Sequence, residues 1–590
     1  MTTRLVLILG AITVVAGGSW AATITVDTID PGIAADGWCT LSEAIENANA
    51  DAAVHADCAA GSGADILELG VGLTYTLVAA HTPNKGLPEI TSEITVNGHG
   101  STVARDLAAP DEFRIVSVAA TGDLTLNDLT LSGGSLSLYP GGGIYNVGGL
   151  TLNRCTVAQN ESNDCGGIDN SGGTVVMTDS VVSENTALSS YGGGLCNRAY
   201  SADATMTLTR TQILANSAHG EGGGGIVTVA GSGRSASLTL TLCTVSDNTA
   251  PSVPGILQNL FGSYTNAHST MLIDRCVISY NIAKSNTALG AGVLSLGAAG
   301  LETVAEIRDS VIEDNEGAVG AGVEAWRRAR LTITDSIIRN NTASEVAGGI
   351  LVGELAHLQL ERSAVYGNIV TGGTELWGGG IGVVDATATI VNSTVSGNSA
   401  GAAAGGVGAF SSVDYGGYGA TVEIFDSTIT KNTAGDIGGG GGIGAARESG
   451  FGVVEVIVGN SVVGDNHEGV GGTLLGNCFI EPPASLTDDG YSLTDDTTCG
   501  LVNVVPDVML APLGDCGPTP CHLPLPGSPA IDSGDDGNCP ATDQLGQLRP
   551  WDGDGDDVAH CDVGAVELWA PFFVDDFEDG TTDAWSYTMP

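Results

Sequence analysis

The residues best suited to chemistry are acidic and crowd near the C-terminal end. Asp552-Gly553-Asp554-Gly555-Asp556-Asp557 sets carboxylates at alternate positions, the spacing at which a turn of oxygen ligands can wrap Ca2+. Val563 stands at the twelfth position, where an EF-hand loop has Glu, and Asp557 stands where it has its turn Gly. Two readings stay open: a Ca2+ site on Asp552, Asp554, Asp556 and Asp557, or a solvated acidic turn. A second group is aromatic and basic. Trp326 is followed by Arg327, Arg328 and Arg330 in a chain with only 19 Lys and Arg, and Tyr200, Phe261, Tyr264, Tyr415, Tyr418 and Phe451 lie in comparable stretches. Such side chains can stack on sugar rings or grip acidic groups, or else pack over the body that carries them. Catalysis is less well supplied. A glycoside hydrolase needs carboxylates brought together, and a lyase needs a base beside a carboxylate-bound Ca2+. His219 and Asp436 stand alone, and Asp309, beside Glu306 and Arg308, falls where Asp179, Asp335 and Asp426 recur. Repeat grammar accounts for that group, so the chain is expected to bind rather than to catalyse, with no catalytic residue assigned.

What must position these residues is a repeat. A small residue, any residue, Val or Ile, two more residues and then Asn occurs eleven times, ending at Asn160, Asn185, Asn216, Asn248, Asn281, Asn315, Asn341, Asn368, Asn398, Asn432 and Asn466. Successive asparagines lie 25 to 34 residues apart. Each interval also holds a Gly-rich element such as Gly166-Gly167-Ile168 and an alternating stretch such as Leu150-Thr151-Leu152. Alternation puts Leu150 and Leu152 on one side of the chain. Three short strands per interval predict a right-handed parallel β-helix, an all-β solenoid whose rungs stack like on like. At ~4.8 Å per rung, the marked rungs make a rod on the order of 50 Å. The asparagines are expected to stack at a bend, where Asn tolerates the left-handed conformation and bonds its neighbours. Cys243 and Cys276 occupy the small position on adjacent rungs and should be buried. From the apolar residue of the Gly element to the next small residue the chain length varies, so insertions should line one edge, where the aromatics collect.

A net charge of −49 argues against nucleic acid and other polyanions as partners. The first 21 residues, with Arg4, an apolar run from Leu5 to Val15 and small residues at Ser19 and Ala21, read as a secretory signal. Thirteen cysteines in an exported chain point to disulfides. Proximity suggests Cys39 with Cys58, Cys165 with Cys196, Cys478 with Cys499, Cys516 with Cys521, and Cys539 with Cys561, with connectivity open.

A solenoid must cover its ends. Asp36-Gly37-Trp38-Cys39-Thr40-Leu41-Ser42-Glu43-Ala44-Ile45-Glu46-Asn47-Ala48-Asn49 is the best helix candidate, with Thr40 or Ser42 near its start. This stretch resembles the CSLREA-type N-terminal motif, with Thr40 in place of Ser and Ser42 in place of Arg. Gly527 to Gly534, Cys539 to Gln544, Arg549-Pro550 and Cys561-Asp562-Val563-Gly564-Ala565 resemble the ending of choice-of-anchor right-handed β-helix proteins. The repeats over about 145 to 470 are similar, more loosely, to passengers of polymorphic outer membrane proteins. These resemblances imply a protein secreted to, or held at, a bacterial outer envelope. The organisation expected is a signal at 1–21, a capping region at 22–75, the β-helix at 76–475, a Cys- and Asp-rich cap at 476–568 and an acidic-aromatic tail at 569–590. The leading functional expectation is a monomeric adhesin-like scaffold for polysaccharide or another envelope component. The rival is a lyase or hydrolase of the pectin-lyase type, although the set of Asn-Thr-Asp, Asp-Asp and Gly-His-Gly found in polygalacturonases is incomplete here, with no Asn-Thr-Asp in the chain.

Overall fold

The structure, a computed structural model, describes residues 21–220, 222–260, 266–285, 289–298, 301–372, 378–436, 439–448 and 452–569. One rung shows how the repeat becomes a coil. Strand Gly149–Asn153 is followed by Thr156–Ala158, then Glu161–Asp164, then Ile168–Ser171. Each strand pairs in parallel with its counterpart one repeat on, Leu150 with Val175 and Leu152 with Met177. The first two strands of every rung build a 30-stranded sheet, the third a 15-stranded sheet and the fourth a 13-stranded sheet. The chain is a parallel β-helix, wound in the right-handed sense that crossovers between parallel strands take. Like residues stack inward: Val157, Val182, Ile213, Val245, Ile278, Ile312, Ile338, Val365, Val395, Ile429 and Val463 are all fully buried.

Two left-handed residues, five apart, flank each short strand. They are 154 and 159 in the first marked rung and 460 and 465 in the last, with φ near +50° throughout. This corrects the expected geometry of the bend: the residue before each Asn takes the left-handed conformation, and the Asn itself does not. The reversal at Glu184 leaves Asn185 facing inward, where its Oδ1 accepts both the backbone N–H and the Nδ2 of Asn160 at 3.0 Å. Its Nδ2 donates to Val157 O at 2.9 Å. The same pattern repeats up the stack, and a twelfth member that the repeat pattern misses, Asn477, receives Asn466 at 3.0 Å. The first left-handed column is polar apart from Leu242; its earlier members face water, and Asn392, Asp426 and Asn460 are buried. Arg154, Arg210 and Arg362 each pair in fork geometry with Asp128, Asp179 and Asp335 on the preceding rung.

The small column works similarly. Ser336 Oγ accepts the N–H of Ser310 at 3.2 Å and Ser363 Oγ that of Ser336 at 3.1 Å. Cys276 fills the same place, its sulfur accepting Cys243 N–H at 3.3 Å. Cys155, Cys243 and Cys276 are free thiols and all buried, and burial pushes the Cys155 thiol up to about 11, so it stays un-ionised at neutral pH.

Helix α1 (Leu41–Ala50) closes the first rungs. Thr40 caps it with Glu43 in a reciprocal capping box, and Leu41, Ala44, Ile45 and Ala48 are buried. Asn49 fixes its far end, donating to Glu89 O at 2.8 Å and accepting Thr91 N–H at 2.8 Å. All five cysteine pairs expected from proximity are bonded. The C-terminal segment differs from a plug. Strands Cys478–Ile480, Ser485–Gly490 and Leu493–Thr494 extend the last rung. The chain then runs back along the flank, over the outer side of the short strands. Asn392 donates to Thr542 O at 2.8 Å, Thr394 to Gln544 at 2.6 Å, and Ser396 meets His522 at 2.7 Å. Arg549, with no exposed side-chain surface, lies 3.3 Å from Asp426 of the coil and 3.4 Å from Glu567 of the flank. No helix among the described residues is long and apolar enough to cross a membrane.

Candidate functional site

The 13-stranded sheet is covered on both faces. Its inward residues enter the core, and its outward residues Cys196, Val227, Leu257 and Leu294 are buried as well. Loops bring this about. One row leaves the C-terminal ends of its strands, as expected from the variable spacing. A second row, not expected, enters at their N-terminal ends through the Gly-rich stretches. Gly192 and Gly223 turn there with positive φ, and a Cβ on either would strike Cys196 Sγ at 2.2 Å or Val227 Cγ2 at 1.9 Å. Gly192 and Gly223 therefore let the chain turn closely over the sheet, while the Gly-Gly pairs that follow bond from rung to rung, Gly193 N–H to Gly223 O at 3.0 Å and Gly194 N–H to Gly224 O at 3.1 Å.

Between the two rows, side chains with chemistry gather at two stations. The first is charged. Arg198 directs Nε and Nη2 to the two oxygens of the fully buried Asp169 and Nη1 to Asp164. Asp164 also accepts Tyr191 N–H at 3.1 Å. Arg114 lies over the ring of Tyr145 at 4.7 Å, and Tyr200 lies 6.0 Å from the Arg198 guanidinium. Burial raises the Asp169 carboxyl against the opposing pull of Arg198. Of these residues only Tyr200 was anticipated. The signal for the rest was weak: Arg198 and Asp169 are single charges inside a strand that otherwise reads as core.

The second station is aromatic. Trp326 and Tyr415, widely separated in sequence, meet edge to face at 5.2 Å. Trp326 spreads over the next rung at Gly353, where a Cβ would lie 1.8 Å from its Cζ3. Tyr415 belongs to a loop that carboxylates hold. Asp385, buried and itself at φ 50°, accepts Ser411 Oγ at 2.6 Å, Ser412 N–H at 3.2 Å, Gly417 N–H at 3.3 Å and Gly419 N–H at 2.8 Å. Glu448 adds Val413 N–H at 2.7 Å. The pair is thus set in place before any ligand arrives. Tyr418 stands 58% exposed on the same loop. Glu324, two residues before Trp326 on the same face, is 1% exposed and accepts one hydrogen bond, from Gly290 N–H at 2.7 Å. Burial raises its carboxyl to about 8.

The basic cluster after Trp326 is turn structure. Arg327 and Arg328 have φ of 52° and 65°, Arg327 pairs with Glu354 at 3.0 Å and Arg330 with Glu302 at 2.7 Å. Arg328 is exposed at the turn. Phe261, Tyr264 and Phe451 lie outside the described residues, as does the greater part of the tail. In the acidic turn, Asp552 and Asp554 come together with Asp532, their ligand atoms all within 4.8 Å of one another. Asp556 instead caps Val558 N–H at 2.8 Å, and neither it nor Asp557 joins that trio. Asp532 arrives from a distant segment and already accepts Gly553, Asp554 and His560 N–H groups.

The family model for the right handed beta helix region matches residues 262–463, and the chain is a β-helix repeat protein. No curated protein sequence matches it. Among solved structures, the A-modules of the mannuronan C-5 epimerases AlgE6 and AlgE4 of Azotobacter vinelandii are each 13% identical with a TM-score of 0.33. The alignments cover 79% and 78% of this chain and 98% and 100% of those modules. The pectate lyase Pel9A is 12% identical over 93% of this chain and 97% of its own, with a TM-score of 0.25.

Proposed function

We propose that the protein is a secreted or cell-surface scaffold that binds a glycan of the bacterial envelope across the outer side of its 13-stranded sheet. The observation that supports this reading best is the Trp326–Tyr415 pair, fixed by Asp385 and Glu448 between two rows of loops. Half-buried aromatics held rigidly offer a sugar apolar surface at little ordering cost. The Arg198 cluster, on a strand four rungs away, lies roughly 19 Å along the coil at ~4.8 Å per rung, so an extended chain reaches both stations. Asp164 and Asp169 are both engaged by Arg198, which favours a structural over a proton-transferring role for them. The Asp532, Asp552 and Asp554 trio serves, in this reading, as a Ca2+ turn that pins the flank segment.

A panel of immobilised neutral polysaccharides tests the proposal. Retention of the full chain is expected, reduced at least tenfold by Trp326→Ala and by Tyr415→Ala, with the eluted glycan unchanged in length. Shortened or unsaturated products would replace the scaffold reading with an enzymatic one. Retention untouched by both substitutions would remove the aromatic station.

A further inference from the structure

Two buried polar groups on the outer side of the 13-stranded sheet lack partners, and they are neighbours. Arg114 is 7% exposed, its guanidinium donates no hydrogen bond to any described residue, and its Nε is sealed from solvent. Ser117 is fully buried and its Oγ has no partner. Ser117 and Tyr145 sit opposite each other in register, and the guanidinium of Arg114 rests on the Tyr145 ring. Stacking holds a guanidinium in place yet leaves its in-plane N–H donors unspent. The nearest carboxylates do not meet that demand. Both oxygens of Asp169 accept from Arg198, and Asp164 accepts from Arg198 and Tyr191 N–H. A buried cation whose donors stay idle is costly, and burial lowers the pKa of Arg114 accordingly. A buried guanidinium with unspent donors calls for an acceptor that carries negative charge.

We infer that Arg114, held against Tyr145, forms a subsite for one carboxylate group borne by an otherwise neutral glycan, a deepening that rests on the glycan-binding reading above. A planar carboxylate matches the Nη1–Nη2 edge of the guanidinium with two parallel hydrogen bonds, the edge that is not sealed as Nε is. The sparse charge follows from the rest of the molecule. Two guanidinium groups face Asp164 and Asp169 here, and Glu89, which also acts on Arg114, is paired with Lys85 at 2.8 Å, so the cluster carries no surplus that would draw in a polyanion. The whole chain, at −49, repels densely charged polymers. A sugar acid placed occasionally along a neutral chain satisfies both conditions.

The probe is methyl glucuronide, compared with its neutral methyl ester and with acetate, each titrated into the full chain and followed by calorimetry or ligand-observed NMR. The acid is expected to bind at least tenfold more tightly than the ester and than acetate. Arg114→Gln should abolish that difference and Arg114→Lys should keep part of it. Equal binding of acid and ester would overturn the subsite, and this comparison needs no variant, so misfolding of Arg114→Gln does not protect the idea. Acetate binding as tightly as the glucuronide would overturn the glycan part, leaving a site for free anions. If neutral polysaccharide is retained through Trp326 while acid and ester bind alike, this inference fails and the scaffold reading survives. If nothing containing sugar binds, both fail.

Discussion

Asn341 shows what a single repeated residue does. Its Oδ1 accepts from Asn315 N and Nδ2 at 3.1 and 2.9 Å, and its Nδ2 donates to Ile312 O and Asn368 Oδ1, each at 3.0 Å. Asn341→Ala strands the Asn315 donors and the Ile312 carbonyl inside the coil. At about 1–3 kcal/mol per unsatisfied buried group, a loss of roughly 3 kcal/mol or more is expected in denaturant unfolding; a loss under about 1 kcal/mol would show that the stack is dispensable. By contrast, Arg154 and Asp128 are exposed, and cutting such surface pairs costs at most about 1 kcal/mol. Glu324 makes a prediction about pH. Its carboxyl is raised from 4.5 to about 8 by burial, so the folded state holds a proton that the unfolded chain releases above its ordinary pKa. The stability this group contributes is complete below pH 4.5 and is lost as pH rises through 8. Glu324→Gln removes that dependence: the variant should melt several degrees above the parent at pH 8 and show little difference at pH 4. Parallel pH profiles would refute the assignment.

At the scale of elements, loops matter more than strands. In the segment 412–419, which carries Tyr415, Asp385 and Glu448 gather the backbone N–H groups. Asp385→Asn keeps the size but replaces one acceptor oxygen with a donor, so this loop should exchange its amide hydrogens faster while the strands beneath do not. Gly353→Ala tests the aromatic station from below. With a Cβ 1.8 Å from Trp326 Cζ3 the indole must leave, and glycan retention should fall as far as in Trp326→Ala, without loss of the β-sheet circular dichroism signal. The Asp532 trio answers a different measurement: if it holds Ca2+, millimolar Ca2+ should raise the unfolding temperature and Asp532→Asn should remove the rise.

For the whole molecule, the flank segment ties distant rungs to one another. Arg549 meets Asp426 and Glu567, and burial raises Asp426 to about 6, Asp562 to about 6 and Glu567 to about 7. Raised carboxyls make the flank most firmly seated below about pH 4, with that contribution lost as pH rises through 6 to 7. Limited proteolysis between residues 505 and 569 should therefore accelerate from pH 5 to pH 8, and Arg549→Met should steepen the change by removing the cation opposite those carboxylates. A pH-independent cleavage rate would show that the apolar contacts of Val462, Val508, Ala530 and Val563 hold the flank unaided.

The sequence by itself determined the coil, because stacking like on like makes every rung repeat the same constraint: the inward apolar column, the Asn ladder, the small column, the capping helix at Thr40 and the five cysteine pairs are all local patterns or near neighbours. It also placed Asp179 and Asp335 at one recurring position of the repeat, although the left-handed backbone behind that recurrence became visible only in the fold. Tertiary structure alone decided the rest. Trp326 meets Tyr415 because a loop from another rung folds over its strand, Asp532 joins Asp552 across the flank, and a second row of loops enters the 13-stranded sheet at the N-terminal ends of its strands. Arg114 gave the least warning of all. A lone arginine between Phe113 and Ile115 carries no periodic signal, and only burial beside Ser117, Tyr145 and an already occupied Asp169 turns it into a donor without an acceptor.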